Sequence, residues 1–228
     1  MNSKTAASVF ISFILVFAIP LLPVIISGNW FWTDAWILSG VYIFGFIASR
    51  LLVYFKNPEL LTERLNAASQ EGAEKWDRPL LAHLALGSIL FFIMPGIEAR
   101  LDILVEVPLV FKSISVILII VGYFVSAWAL VENRFFTAVV RLQKDRGHTV
   151  VTTGPYRFVR HPGYAGGLLT YPAAAVLLGS IWMLVPVLYM LLVLVVRTEK
   201  EDNMLQAKLA GYREYVGNVR YRLIPGVW

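Results

Sequence analysis

The fold is decided by residues 164–202, YAGGLLTYPAAAVLLGSIWMLVPVLYMLLVLVVRTEKED, in which two apolar runs at 164–178 and 183–196 flank the short connection GSIW. Each run covers about 15 residues, which is roughly 22 Å of helix at 1.5 Å per residue. The apolar core of a bilayer is about 30 Å thick, so neither run has to cross it completely. The pattern predicts a tight helical hairpin whose two outer ends meet.

Four longer apolar runs precede the hairpin, at 6–26, 32–54, 80–97 and 107–131. Each is close to the roughly 20 residues that a transmembrane helix requires. Hydrophobic residues make up 58% of the chain and the mean hydropathy is +0.68, which excludes an ordinary water-soluble domain. Backbone groups in lipid must be satisfied internally. We therefore predict an all-α, polytopic integral membrane bundle of about six hydrophobic helices, with a cytoplasmic C-terminal helix after the hairpin.

The chain divides into two regions of different character. Residues 1–132 form a predicted transmembrane platform of four spans, and the first span, 6–26, is interpreted as an uncleaved anchor. This platform is interrupted at 56–79 by a polar segment, which is either an interfacial helix or a solvated linker helix. Residues 133–228 contain a polar loop, the hairpin and a basic tail, and we expect the functional site there.

The net charge of +5 is unevenly distributed along the chain. Basic residues concentrate at Lys4, in 56–78, in 134–160 and in the tail, whereas the connections on the other side are short and nearly neutral. The positive-inside rule therefore predicts that both termini and the functional loops are cytoplasmic. Anionic headgroups account for the basic flanks, so membrane lipids are expected partners and nucleic acid is not.

A metal centre is not expected either. The chain contains no cysteine, which excludes thiolate ligands, and its three histidines at positions 83, 148 and 161 are dispersed. The sequence patterns of dinucleotide-binding loops, phosphate-binding loops and zinc proteases are also absent.

The tripeptide Arg160-His161-Pro162 opens the hairpin. Helices accept proline best in the first turn, so His161 is the predicted N-cap of the following helix, with Tyr164 on the same face. The free N–H groups of a helix N-terminus can receive a carboxylate or a phosphate. Gly163, Gly166 and Gly167 leave this face bare, for a ligand or for close helix packing.

Arg197 and Glu201 lie four residues apart where the second arm becomes polar. Such residues either pair with each other or flank a polar cavity at membrane depth. Because the outer ends of a hairpin meet, His161 and Tyr164 are expected near Arg197 and Glu201. A site with both charges and aromatic rings suits a charged, nucleotide-like cofactor that meets an oily substrate.

These motifs resemble a known family. The segments at 143–164 and 197–225 contain HTVVTTGPY, RHPGY, RTEKED, LAGYREY and RLIP in that order. The combination is similar to the isoprenylcysteine carboxyl methyltransferases and to the wider group of membrane-embedded methyltransferases that includes phospholipid N-methyltransferases. The resemblance implies that S-adenosylmethionine is the methyl donor and that residues 133–228 form the methyltransferase region.

The resemblance also assigns roles to individual residues. Arg197 and Glu201 are the expected catalytic pair, and Arg197 is expected to contact the substrate. Glu201 is further expected to hold the polar end of the cofactor. The predicted cofactor site comprises Gln143, His148, Thr149, Val150, Val151, Tyr156, His161, Pro162, Gly163, Tyr164 and Glu201.

The predicted function is methyl transfer to a lipophilic or prenylated substrate, with carboxyl O-methylation of an isoprenylcysteine-like group as the first expectation. N-methylation of a phospholipid or another amine is one alternative, and an NADPH-dependent membrane reductase of the steroid-reductase type is another. A transporter or sensor would carry charges deep in several spans. Arg50 and Lys112 instead lie near span ends, from which their side chains can reach the interface.

Overall fold

The computed structural model describes residues 16–65 and 72–228, and all α-helices and 3₁₀ turns in these ranges belong to one helical bundle. We number the α-helices in chain order. They are α1 (Leu22–Ser27), α2 (Thr33–Lys56), α3 (Pro58–Leu65), α4 (Asp77–Arg100), α5 (Leu109–Glu132), α6 (Pro162–Leu178), α7 (Leu184–Lys208) and α8 (Tyr212–Asn218).

Three helices, α2, α4 and α5, are long and apolar enough to cross a membrane. They coincide with the predicted runs 32–54, 80–97 and 107–131, which confirms the all-α membrane bundle. Most of the predicted first span, 6–26, lies outside the described residues. Its described end contains a 3₁₀ turn at Ile19–Leu21 before α1, and each of these two short elements has a proline in its first turn.

Large apolar side chains remain uncovered on the outer faces of α2 and α5. On α5 they are Leu109, Val110, Phe111, Ile114, Ile117, Leu118, Ile120, Val121 and Phe124. A soluble monomer rarely exposes a contiguous apolar surface of this extent. Lipid is the solvent that such a surface requires.

One hydrophobic core joins both regions of the chain. Phe91, Phe92 and Ile119 from the predicted platform pack in the same cluster as Leu177 and Met190 from the hairpin. The two regions that meet between residues 132 and 133 therefore differ in composition but share this hydrophobic core.

The hairpin has unequal arms. The first, α6, contains 17 residues and ends close to the predicted position. The second, α7, contains 25 residues and is longer than the predicted run 183–196. That prediction followed hydropathy, which falls at Arg197. Several residues beyond it, such as Glu199, Lys200 and Gln206, are good helix formers, and the same helix continues as far as Lys208.

A buried carboxylate at the end of α4 holds the turn of the hairpin. Glu98 accepts hydrogen bonds from the backbone N–H groups of Ile181 and Trp182, both at 3.1 Å, and from the hydroxyl of Ser180. It thus satisfies N–H groups that precede α7 and have no partner in the helix. Gly179 completes the turn with a left-handed φ of 64°.

The first arm lies directly against α5 because glycines line their contact. A Cβ atom on Gly166 would lie 2.1 Å from Oγ of Ser126 and 2.3 Å from the carbonyl oxygen of Gly122. A Cβ on Gly163 would meet the ring of Phe136 at 2.4 Å. Close packing, the second explanation for these glycines, therefore accounts for Gly163 and Gly166.

The α5–α6 contact predicts a clear difference between two glycines. Gly166→Ala should lower the free energy of unfolding by about 1–3 kcal/mol, because the added methyl overpacks a contact formed by backbone atoms. Gly217→Ala is the matched control, since nothing lies within 4 Å of a Cβ at that position. Thermal unfolding in detergent measures both, and equal midpoints for the two variants would contradict the packing described here.

Candidate active site

The hairpin brings its two outer ends together, as expected from the sequence. The Tyr164 hydroxyl donates a hydrogen bond of 2.6 Å to the Glu201 carboxylate. The Arg197 guanidinium lies 5.3 Å from the centre of the Tyr164 ring. The ring of His161 is parallel to that of Tyr164, with 5.9 Å between centroids. His161 is also the N-cap residue of α6, as predicted.

Arg197 is paired with Asp77 at the start of α4, not with Glu201. Its Nε lies 2.7 Å from Oδ1 of Asp77 and its Nη2 lies 3.3 Å from Oδ2. The Nη2 group also donates to the carbonyl of Ala138 at 3.0 Å. Asp77 is fully buried and accepts a further bond from the Val140 backbone, so it fixes both Arg197 and the loop after α5. The mutual pairing of Arg197 and Glu201 considered from the sequence is absent.

Asp202, the residue after Glu201, is a fully buried hub. Arg160 binds both of its carboxylate oxygens, at 2.8 and 2.9 Å. His161 lies 3.3 Å away through Nε2, Tyr212 donates at 2.9 Å and Arg222 donates at 3.0 Å. This carboxylate thus connects α7 to the start of α6, to α8 and to the C-terminal tail.

The charge state of Asp202 follows from these contacts. Burial alone would raise its pKa, but hydrogen bonds from His161, Arg160 and Arg222 hold the pKa of Asp202 below its usual range. The carboxylate therefore stays ionised at neutral pH. Its contribution to stability is present above the pKa of an unfolded aspartate, near 3.9, and is lost as the pH falls below that value.

The C-terminal tail closes over the start of α6. The backbone N–H of Arg160 donates to the carbonyl of Tyr221, and that of His161 donates to the carbonyl of Arg222, both at 2.9 Å. On α8, the Tyr215 hydroxyl donates to the carbonyl of Tyr156 at 2.6 Å. The loop and the tail, which are distant in sequence, therefore form one wall.

Beside this wall lies a hollow of about 740 Å³, a volume that includes its open mouth. Most residues predicted for the cofactor line it, namely His148, Thr149, Val150, Val151, Tyr156, His161, Gly163, Tyr164 and Glu201. Gln143, Pro162 and Arg197 are not in its lining.

Gln143 lies behind the hollow, where it supports the loop. Its buried side chain donates to the carbonyl of Phe135 at 2.7 Å and accepts from Arg146 at 2.7 Å. Its backbone N–H donates to Nδ1 of His148 at 3.3 Å. Gln143 thus orients a lining residue.

His148 is stacked on Phe135, with 4.4 Å between ring centroids. Burial, together with the positive charges of Arg141, Arg146 and Arg134, lowers the pKa of His148 to about 4. The neutral ring agrees with its hydrogen bond, since Nδ1 can accept the Gln143 N–H only when it carries no proton.

A second hollow, of about 570 Å³, lies among the helices. It shares Gly163 and Tyr164 with the first, and its other lining residues are Tyr42, Tyr123, Ser126, Gly167, Thr170, Tyr171 and Leu194. Tyr164 and its bond to Glu201 therefore lie between a polar hollow under the loop and a largely apolar hollow in the bundle.

Several residues that build this site were not identified from the sequence. Arg160 and Asp202 stood inside the quoted motifs RHPGY and RTEKED, so a signal for them existed. Tyr212 and Tyr215, which line the first hollow, occur in LAGYREY. Asp77 had no local signal, because it meets Arg197 from 120 residues away.

Comparison with known proteins bears on the same part of the chain. Residues 115–207 match the sequence model of the isoprenylcysteine carboxyl methyltransferase (ICMT) family. The resemblance to this family, found from the motifs, is confirmed over this part of the chain.

Curated relatives are similar over a shorter segment. Proteins described as probable protein-S-isoprenylcysteine O-methyltransferase from Oryza sativa subsp. indica and subsp. japonica are each 37% identical over 57 residues. Protein-S-isoprenylcysteine O-methyltransferase A of Arabidopsis thaliana is 36% identical over 59 residues. In each case the match covers 25% of this chain and 30% of the relative.

The hub predicts that Asp202→Asn is strongly destabilising. The amide leaves the buried guanidinium of Arg160 without its counter-charge, and breaking such a pair costs about 3–5 kcal/mol. Glu199→Gln, which removes an exposed carboxylate from the same helix, should have little effect. Thermal unfolding in detergent compares the two, and a midpoint for Asp202→Asn as high as that of Glu199→Gln would refute the hub.

The depressed pKa of His148 predicts a pH-dependent stability. Between about pH 6.5 and pH 4 the unfolded chain takes up a proton on this histidine and the folded chain does not, so acidification favours unfolding. The unfolding midpoint of the wild type, relative to His148→Gln, should therefore fall across this window. A constant difference between the two proteins from pH 7 to pH 4 would contradict the assignment.

Proposed function

We propose that this protein is an integral membrane methyltransferase that takes its methyl group from S-adenosylmethionine and transfers it to the carboxylate of a lipophilic, isoprenylcysteine-like acceptor. The observation that carries the proposal is the position of the Tyr164–Glu201 pair between two hollows, one polar and one within the bundle. The relatives described as O-methyltransferases support the same reaction.

The polar hollow fits the proposed cofactor in chemistry. Glu201 provides an anionic group, and the aromatic rings of Tyr156, Tyr212 and Tyr215 provide faces that attract a cation. His161 and Gly163 bring the N-terminus of α6 to the same hollow, where N–H groups favour a carboxylate. When bound, S-adenosylmethionine supplies a methyl group on a positively charged sulfur.

The second hollow gives an acceptor a place beside this methyl group. Its walls come from α2, α5, α6 and α7, so an oily chain in it remains within the membrane bundle. Tyr164 and Gly163 border both hollows, and reactants held on either side of them would be close to each other. We infer that the acceptor enters from the lipid and that the polar hollow faces the cytoplasm.

The chemistry requires mainly positioning. A carboxylate is already deprotonated at neutral pH, so an oxygen–methyl bond can form while the sulfur–methyl bond breaks, without a general base. Holding donor and acceptor about 3–3.5 Å apart can supply several kcal/mol of the barrier. Arg197 is suited to orient the acceptor through Nη1, which makes no hydrogen bond within the described part of the chain.

An amine acceptor is the second candidate, and the hydrogen bond between Tyr164 and Glu201 is the feature that favours it. An amine must lose a proton when it is methylated, and Glu201 is placed to accept one. O-methylation and N-methylation therefore differ in what they require of this carboxylate, which a substitution can reveal.

Glu201→Gln should abolish tight binding of S-adenosylhomocysteine and lower methyl transfer by a factor of 100 or more, about 2.7 kcal/mol at 1.36 kcal/mol per factor of ten. Glu199→Gln is the matched control, because it removes an exposed carboxylate two residues away. Isothermal titration of S-adenosylhomocysteine in detergent and transfer of radiolabelled methyl to an S-prenylcysteine measure the two effects. Failure of the wild-type protein to bind S-adenosylhomocysteine would overturn the proposal.

A further inference from the structure

Two arginines beside the active site have no counter-charge. Arg50 on α2 and Arg64 on α3 form no ion pair with any carboxylate in residues 16–65 and 72–228. Both precede residues 115–207, the part that matches the ICMT family. Lys112, which the sequence also places near a span end, differs because it binds Asp34 at 2.5 Å. The sequence suggested that Arg50 reaches the interface, but its Nη1 is buried and has no hydrogen-bond partner.

Phe136 connects Arg64 to Tyr164, because it contacts both residues. Its Nη1 donates to the backbone carbonyl of Phe136 at 2.9 Å, and its guanidinium lies 5.7 Å from the centre of the Phe136 ring. Phe136 lines the cofactor hollow and packs edge-on against Tyr164, with 6.4 Å between centroids. Arg64 therefore extends the Tyr164–Glu201 site toward the N-terminal helices.

The electrostatics of Arg64 agree with this position. Burial and the positive charge of Arg50 lower the pKa of Arg64 to about 9, Tyr164 acts in the opposite direction, and Arg197 lowers it further. Arg64 remains charged at neutral pH, in a half-buried site near two other cations. Such a group is costly to bury without an anion.

Two other cations act on the charge of Arg64, the guanidinium groups of Arg50 and Arg197. Asp77 already neutralises Arg197 through two hydrogen bonds. Arg50 and Arg64 have no such carboxylate partner among the described residues, and a bound anion would offset their charge.

We infer that Arg64, assisted by Arg50, binds the free carboxylate of the acceptor and so selects an anionic acceptor over a neutral one. The inference rests on the proposed function and deepens it. A bond from a guanidinium to a carboxylate is among the stronger hydrogen bonds in proteins, and it gives direction as well as charge. An anionic lipid headgroup offers similar chemistry. The acceptor is favoured because Arg64 bonds to the loop beside Tyr164.

Direct binding tests the inference without turnover. N-acetyl-S-farnesylcysteine and its carboxamide, which differ only in the negative charge, are titrated into the purified full-length protein saturated with S-adenosylhomocysteine. The wild type should bind the acid roughly tenfold more tightly than the amide, about the effect of one charge-assisted hydrogen bond. Arg64→Gln should reduce this preference to about twofold or less, and Arg50→Gln should reduce it in part.

The controls separate charge recognition from misfolding. Arg64→Lys retains the charge and should keep part of the preference. Arg78→Gln removes an exposed arginine at the start of α4 and should keep all of it. All four variants should bind S-adenosylhomocysteine as the wild type does, which separates this inference from the cofactor assignment.

Several outcomes would overturn the inference. They are equal binding of acid and amide by the wild type, no binding of the acid, and a preference that survives in Arg64→Gln. The alternative, that the arginines bind an anionic lipid headgroup, is tested by measuring association with nanodiscs that contain phosphatidylglycerol. If Arg64→Gln weakens association with that lipid while the preference for the acid is unchanged, the arginines bind a headgroup and the inference fails.

Discussion

The buried carboxylate of Asp202 is the constraint on which the arrangement of the site depends. A charge excluded from water must be paired and hydrogen-bonded, or the fold loses several kcal/mol. The donors to Asp202 come from Arg160 before α6, from Tyr212 on α8 and from Arg222 in the tail. Satisfying one residue therefore fixes three separate segments around the end of α7, and the hollow lies among them.

Neighbouring residues on α7 have different roles because their side chains point in different directions. Successive side chains differ by about 100° around the axis, so Glu201 and Asp202 point in different directions. Glu201 faces Tyr164 and the hollow, while Asp202 faces the tail. Arg197, one turn earlier, shares the general direction of Glu201 but is held by Asp77. Glu201 thus lines the hollow, whereas the adjacent charges of Asp202 and Arg197 are committed to other contacts within the protein.

The sequence predicted features that depend on local interactions and missed contacts between residues distant in the chain. Three of the four predicted spans, the hairpin and the N-cap at His161 depend on local composition and on proline geometry, and the described part of the chain contains them. The extent of α7 was underestimated because hydropathy does not determine where a helix ends. The partner of Arg197 was unpredictable, since nothing near Asp77 in the sequence indicates a residue 120 positions away. Gln143 was placed in the cofactor site by the resemblance, yet its amide groups bind the protein itself.

The site is assembled from parts of the chain with different origins. The first hollow lies mainly between the loop and α7, where the family match is found, and it is bordered by Tyr212 and Tyr215 of α8. Asp77, which binds Arg197, and Arg64, which bonds to the carbonyl of Phe136, come from helices that precede that match. A methyl donor presents the same groups to every enzyme that uses it, whereas acceptors differ. Under the proposed function, residues that meet the acceptor can therefore vary from one protein to another while the donor site is retained, and the N-terminal helices are where this chain would express its choice of substrate.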